Sequence, residues 1–225
     1  MAQSYEIEIK SLLGSRENAD AFRSRLLDSA HGARLTGTNK QLNHYFVPGD
    51  MAALAVAVAP HVAAEHRERL VRSLEDGKNH SIRTRQRDAE VLFVAKASVD
   101  DTTSANGIMR MEFEESVDLT LDELDQVLLA AGCTYQAKWS REREEYAVGD
   151  TAVCLDRNAG YGYLAEFGRV VGPDEDMVAV RDSLRLLMDD VGAVELAQDR
   201  LERMFAFYNT NWRDYYGTEN VFTVE

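Results

Sequence analysis

Tyr5-Glu-Ile-Glu-Ile-Lys10 alternates polar and apolar side chains at every step. That is the period of a β-strand, so Glu6, Glu8 and Lys10 share one face and Ile7 and Ile9 the other. Later segments repeat the alternation with both signs of charge: Ser81-Ile-Arg-Thr-Arg85, Arg110-Met-Glu-Phe-Glu114 and Arg141-Glu-Arg143. A strand face that is simply wet has no need of such complements. Charged rows of opposite sign on several strands point to a sheet rolled around a charged interior, where each sign compensates the other.

The chain carries 39 acidic and 25 basic residues among 225, for a net charge of −14. This balance argues against a general nucleic-acid binder, which needs a basic stripe. A local basic pocket for a small anion is still compatible with an acidic exterior. A hydrophobic content of 45% is enough to bury a full core. Cys133 and Cys154 show neither metal-ligand spacing nor a disulfide framework, which fits a reducing compartment. The N-terminus lacks an apolar signal core, and the longest apolar run, Met51 to Ala59, ends at Pro60 and is too short to span a bilayer. The expectation is a soluble cytoplasmic protein with no membrane partner.

Strand-like and helix-like segments interleave. Ala19, Phe22, Leu26, Leu27 and Ala30 recur at helical spacing, with Gly32 placed to end that helix. Leu35 to Val47 reads as a long strand, and Asp50 to Glu75 as a helical stretch interrupted at Pro60. Ser81 to Arg87 and Val91 to Ala97 form a hairpin pattern, followed by a strand over Ile108 to Val117. Thr120-Leu-Asp-Glu123 is a capping box opening a helix that Gly132 closes. Strands over Tyr135 to Val148, Thr151 to Asp156 and Tyr161 to Val171 come next. Pro173 suits the first position of a helix that Asp174, Glu175 and Asp176 favour, and a last helix runs from about Val194. With no repeat or low-complexity linker, one domain of about eight strands plus helices is the simplest organisation.

Glu6-Ile-Glu8-Ile-Lys10 resembles the ExExK signature of the CYTH group, or triphosphate tunnel metalloenzymes. Further segments follow in the family's order. Asn43-His-Tyr-Phe46 is similar to its aromatic second strand, Arg83-Thr-Arg85 to its RxR strand, and Phe93-Val-Ala-Lys96 to the lysine after it. Arg110-Met-Glu112-Phe-Glu114 resembles RxExE, and Arg141-Glu-Arg143-Glu-Glu-Tyr146 the basic pair before a tyrosine. Cys154-Leu-Asp156 and Gly162-Tyr-Leu-Ala-Glu166 resemble the last two strands. Any one of these charged strands alone would read as a solvated face. That reading fails because it must hold independently on several strands.

The resemblance implies an α+β fold: a closed eight-stranded antiparallel β-barrel with surrounding helices. It would form a single domain over 1–225, with tunnel strands at about 4–171, a helical insertion at about 50–75 and C-terminal helices at about 173–215. It also implies a triphosphate-containing small molecule and Mg²⁺ or Mn²⁺. Glu6, Glu8 and Glu166, with Asp156, are the implied metal ligands. Lys10, Arg83, Arg85, Lys96, Arg110, Arg141 and Arg143 are the implied phosphate contacts, since guanidinium forks match phosphate oxygens in pairs. Lys10, Arg85, Arg110, Glu112, Glu114 and Asp156 are the candidate catalytic groups. The implied reactions are hydrolysis of inorganic triphosphate, thiamine triphosphate or a nucleotide, or conversion of ATP to cyclic AMP and pyrophosphate as in class IV adenylate cyclases. One departure bears on both: Gly168 stands where the family usually carries a second glutamate, which opens a third reading, a non-catalytic nucleotide or polyphosphate binder. A homodimer is compatible with all three.

Overall fold

The eight strands are β1 (Tyr5–Gly14), β2 (Arg34–Val47), β3 (Lys78–Arg87), β4 (Glu90–Ser98), β5 (Arg110–Ser116), β6 (Thr134–Val148), β7 (Thr151–Asn158) and β8 (Gly162–Val171). They make one antiparallel sheet in the order β1-β8-β7-β6-β2-β3-β4-β5. Among the described residues six α-helices accompany them: α1 (Arg16–Asp28), α2 (Met51–Val58), α3 (Arg67–Glu75), α4 (Leu121–Ala130), α5 (Met177–Asp190) and α6 (Gln198–Asn211). This computed structural model describes residues 5–28, 30–98, 110–172 and 175–224, with the side chains of Tyr5, Ser98, Arg110, Met111 and Glu112 outside the described set.

The chain divides into two compact units. Unit 1 takes residues 1–39, 104–109 and 141–225; unit 2 takes 40–103 and 110–140. In unit 1, Ile7, Ile9, Tyr146, Val153, Leu155, Ala165 and Phe167 pack against Phe22 and Leu26 of α1 and Val180, Leu184 and Met188 of α5. In unit 2, Phe46, Ile82, Phe93, Ala95 and Phe113 pack against Leu54 and Val58 of α2, Leu70 and Leu74 of α3, and Leu124 and Leu128 of α4. Within each unit the helices thus cover the apolar face of the strands.

Register assigns the other face. Lys10 lies opposite Glu166 and Glu8 opposite Gly168. Cys154 also faces Glu166, and Arg143 faces Asp156. In unit 2, Arg85 pairs with Asn43 and Arg83 with Tyr45. Val94 then faces both Arg83 and Glu114, and Lys96 faces Glu112. Directly opposed residues share a face, so these charged residues of each unit stand together on the side away from its helices.

Boundaries follow local chemistry. The interruption expected at Pro60 is present as two single-turn 3₁₀ segments, 59–61 and 64–66, between α2 and α3. The capping box at Thr120 and Glu123 is formed. Pro173 and Asp174 lie outside the described residues. The helix after them starts later than the sequence suggests, because Asp176 caps it by accepting from Val178 N and Ala179 N. The last helix also starts late, at Gln198. Before it, Leu196 N donates to the Lys10 carbonyl (2.7 Å), which holds that stretch out of helix and against β1. The first helix is described over Arg16–Asp28, and residues 30 and 31 form a turn directly before Gly32. At Gly162, φ is +73° and a Cβ would come within 2.2 Å of the Gly14 carbonyl, so only glycine lets β8 begin beside the end of β1.

Candidate functional site

Unit 1 gathers six of the expected residues into one ion-pair network. Lys10 Nζ sits 2.6 Å from Glu8 Oε2 and 3.5 Å from Glu166 Oε1. Arg143 donates through Nε to Asp156 Oδ1 (2.7 Å) and through Nη2 to Asp156 Oδ2 (2.6 Å), and also to Glu166. Arg141 donates to Asp156 Oδ2 (2.9 Å) and lies 3.9 Å from Glu166. Asp156 has no solvent exposure. Buried charge survives only when paired and hydrogen-bonded, and three cations against three carboxylates meet that condition.

The titration behaviour follows. Burial alone would raise the Glu166 carboxyl, but Lys10, Arg143 and Arg141 outweigh it and hold the group well below the usual carboxylate range. Burial would likewise lower the Lys10 ammonium, yet Glu8 and Glu166 keep it above the ordinary lysine value. Cys154, beside Glu166 on the same face, is pushed up to about 12, chiefly by burial. It is therefore a poor nucleophile.

Unit 2 holds a second, smaller array. Arg85 donates through Nε to Asn43 Oδ1 (2.8 Å) and through Nη1 to Glu114 Oε2 (2.8 Å). Arg83 donates to the Tyr45 hydroxyl (2.6 Å) and lies over that ring at 5.4 Å. Lys96 shares the face by register. Arg110 and Glu112 occupy the matching positions of β5, but their side chains lie outside the described residues.

Two residues of these arrays carry no site role in the sequence motifs. Asn43 holds Arg85 in place, and its position two residues before Tyr45 on an alternating strand was the available signal. Asn158, opposite Arg141 at the end of β7, buries an amide Nδ2 that has no hydrogen-bond partner among the described residues. His44 points to the face opposite Tyr45 and contacts Tyr135, because neighbours on a strand project oppositely.

Among the described residues, no three His, Cys, Asp or Glu side chains gather closely enough to hold a metal ion. The donor chemistry nevertheless fits a hard divalent cation, since Glu6, Glu8 and Glu166 offer only carboxylate oxygens on adjacent strands of one face. A Cβ at Gly168 would meet Glu6 Oε1 at an ordinary contact distance of 3.8 Å, so a side chain at this position would stand directly against that carboxylate. No described helix is long and apolar enough to cross a membrane.

No family model and no curated protein sequence matches this chain. Solved structures do. The PH1819 protein from Pyrococcus horikoshii is 16% identical, with 86% of this chain and 94% of that one covered and a TM-score of 0.60. A candidate adenylate cyclase from Vibrio parahaemolyticus is 16% identical over 86% and 91%, with a TM-score of 0.55. An adenylyl-cyclase candidate from Hippeastrum, described as having a dominant triphosphatase activity, is 16% identical over 90% and 95%, with a TM-score of 0.57. The chain therefore shares their fold, as its strand motifs led one to expect.

Proposed function

We propose that the protein is a metal-dependent enzyme that hydrolyses a phosphoanhydride bond of a triphosphate: inorganic triphosphate, thiamine triphosphate or a nucleoside triphosphate. One observation carries this reading: in each unit, cations and carboxylates on neighbouring strands share the face turned away from the helices. Such rows, with Lys10, Arg85 and Asp156 buried, suit a polyanion accompanied by its cation. In this reading the sheet closes into a barrel.

Arg83, Arg85, Lys96, Arg141 and Arg143 then grip phosphate oxygens, with Lys10 beside them, and Arg110 extends the row. Arg85 and Arg143 are preset for this by Asn43 and Asp156, so little side-chain freedom is lost on binding. Asp156 spends both oxygens on Arg141 and Arg143; its part here is to hold the arginines. Glu6, Glu8 and Glu166 would hold Mg²⁺ or Mn²⁺, which supplies Lewis-acid neutralisation of phosphate charge. Glu114, partly exposed beside Arg85, or Glu112 on the same strand, orients the attacking water and takes its proton. The unpartnered Asn158 amide fits a phosphate oxygen, because a buried donor without an acceptor costs about 1–3 kcal/mol until one arrives.

A second reading, conversion of ATP to a cyclic nucleotide and pyrophosphate, is favoured by the names of two structural relatives. The two differ in which phosphorus is attacked. Phosphorus NMR of the protein incubated with Mg²⁺ or Mn²⁺ and either inorganic triphosphate or ATP separates them. Orthophosphate release supports the hydrolase; pyrophosphate with a cyclic nucleotide supports the cyclase. Metal-dependent binding without turnover supports the non-catalytic binder that Gly168 suggests.

A further inference from the structure

On the helix-covered face of unit 2 lies a polar cluster that this chemistry does not use. Asp125 of α4 is 1% exposed. It accepts from His44 Nδ1 (2.6 Å), Thr84 Oγ1 (2.6 Å) and the Tyr135 hydroxyl (2.7 Å), with Lys138 Nζ at 3.7 Å. The donors come from β2, β3 and β6, and the acceptor from a helix. An apolar side chain would fill the same space without the desolvation cost of a carboxylate. A fully satisfied buried network instead fixes one geometry.

The donors stand at telling positions. His44 lies between Asn43 and Tyr45, and Thr84 between Arg83 and Arg85. His44 and Thr84 are themselves directly opposed in the ladder. The neighbours of each donor project to the charged face, where Asn43 holds Arg85 and Tyr45 holds Arg83. One carboxylate thus clamps the rung that lies between those of the two arginines.

We infer that Asp125 is a positioning residue: by tying His44 to Thr84 it sets β2 against β3 so that Arg83 and Arg85 reach phosphate oxygens together. The inference rests on the triphosphate reading for the identity of what the arginines grip. The test uses Asp125→Asn, which keeps the shape but turns a donor toward donors. Two quantities are followed: KM and kcat for inorganic triphosphate with Mg²⁺, and the Arg85 Nε–H resonance in the ligand-free protein. The expected result is a displaced or broadened Arg85 resonance, KM raised about tenfold and kcat changed far less, since couplings between touching residues reach this size.

Thr84→Val should act in the same direction, while Thr84→Ser, which keeps the hydroxyl, should behave like the native protein. A folded Asp125→Asn with a native Arg85 resonance overturns the inference, whether or not KM moves. If Asp125→Asn does not fold, the Thr84 pair decides by the same two readouts: identical Val and Ser variants overturn it. A native protein that neither binds nor cleaves triphosphate would fail the functional reading instead, and the resonance would still decide whether Asp125 positions Arg85.

Discussion

Arg85 shows what one residue contributes. Its Nε and Nη1 are already committed to Asn43 and Glu114, so the guanidinium is fixed before any ligand arrives. Arg85→Ala should therefore lower kcat/KM by about 2–4 kcal/mol in transition-state stabilisation, typical of losing a preset electrostatic donor. Steady-state kinetics with inorganic triphosphate read this directly, and a loss below about threefold would remove Arg85 from the site. Glu8→Ala should abolish metal-dependent turnover while leaving the circular dichroism spectrum native. Asn158→Leu should give opposite signs: a higher Tm, because an unpartnered buried amide is removed, and weaker triphosphate binding, because a donor is lost. A fall in Tm would mean the amide has a partner after all.

At the scale of the element, strand faces were the legible part. Alternation in Tyr5 to Lys10 and in the RxR and RxExE segments identified strands and which residues share a face, because a period of two leaves no other arrangement. Helix starts were less legible. Asp176 caps its helix through two backbone amides three residues after Pro173, and acidic residues at 174, 175 and 176 all looked alike in sequence. Asp125 was hidden for a different reason. Within Leu121 to Leu129 it reads as a polar position on an amphipathic helix, and only tertiary pairing reveals three donors aimed at it.

That pairing carries a pH signature. Burial would raise the Asp125 carboxyl, but hydrogen bonds from His44, Thr84 and Tyr135 bring it below its ordinary 3.8. With a depressed folded value, its contribution to stability is present above about pH 4 and is lost as pH falls through the folded value. The stability gap between native protein and Asp125→Asn, from urea melts, should be steady near neutrality and shrink below pH 3.8. A gap that is constant down to pH 2 would argue against an ionised Asp125. The turn between β7 and β8 gives an independent check. Gly162→Ala should lower stability by about 1–3 kcal/mol, since it forces a left-handed residue against the Gly14 carbonyl.

For the whole molecule, two units each place an apolar core behind a row of mixed charge. β2 and β6 each contribute residues to both. An acidic chain with a net charge of −14 thereby still sets several cations side by side on strand faces. Which triphosphate the proposed enzyme would take was not legible, because the organic part of a substrate leaves no alternating pattern in the strands. Gly168 was legible as a missing carboxylate, and the ladder sets it opposite Glu8 and in contact range of Glu6. A crystal structure of the protein with inorganic triphosphate and Mn²⁺ is the most direct measurement. Phosphate density is expected against Lys10, Arg85 and Arg143, with an anomalous manganese peak at Glu6, Glu8 and Glu166. Phosphate and manganese found only on the outer surface, with the Lys10–Glu166 and Arg85–Glu114 pairs undisturbed, would contradict it.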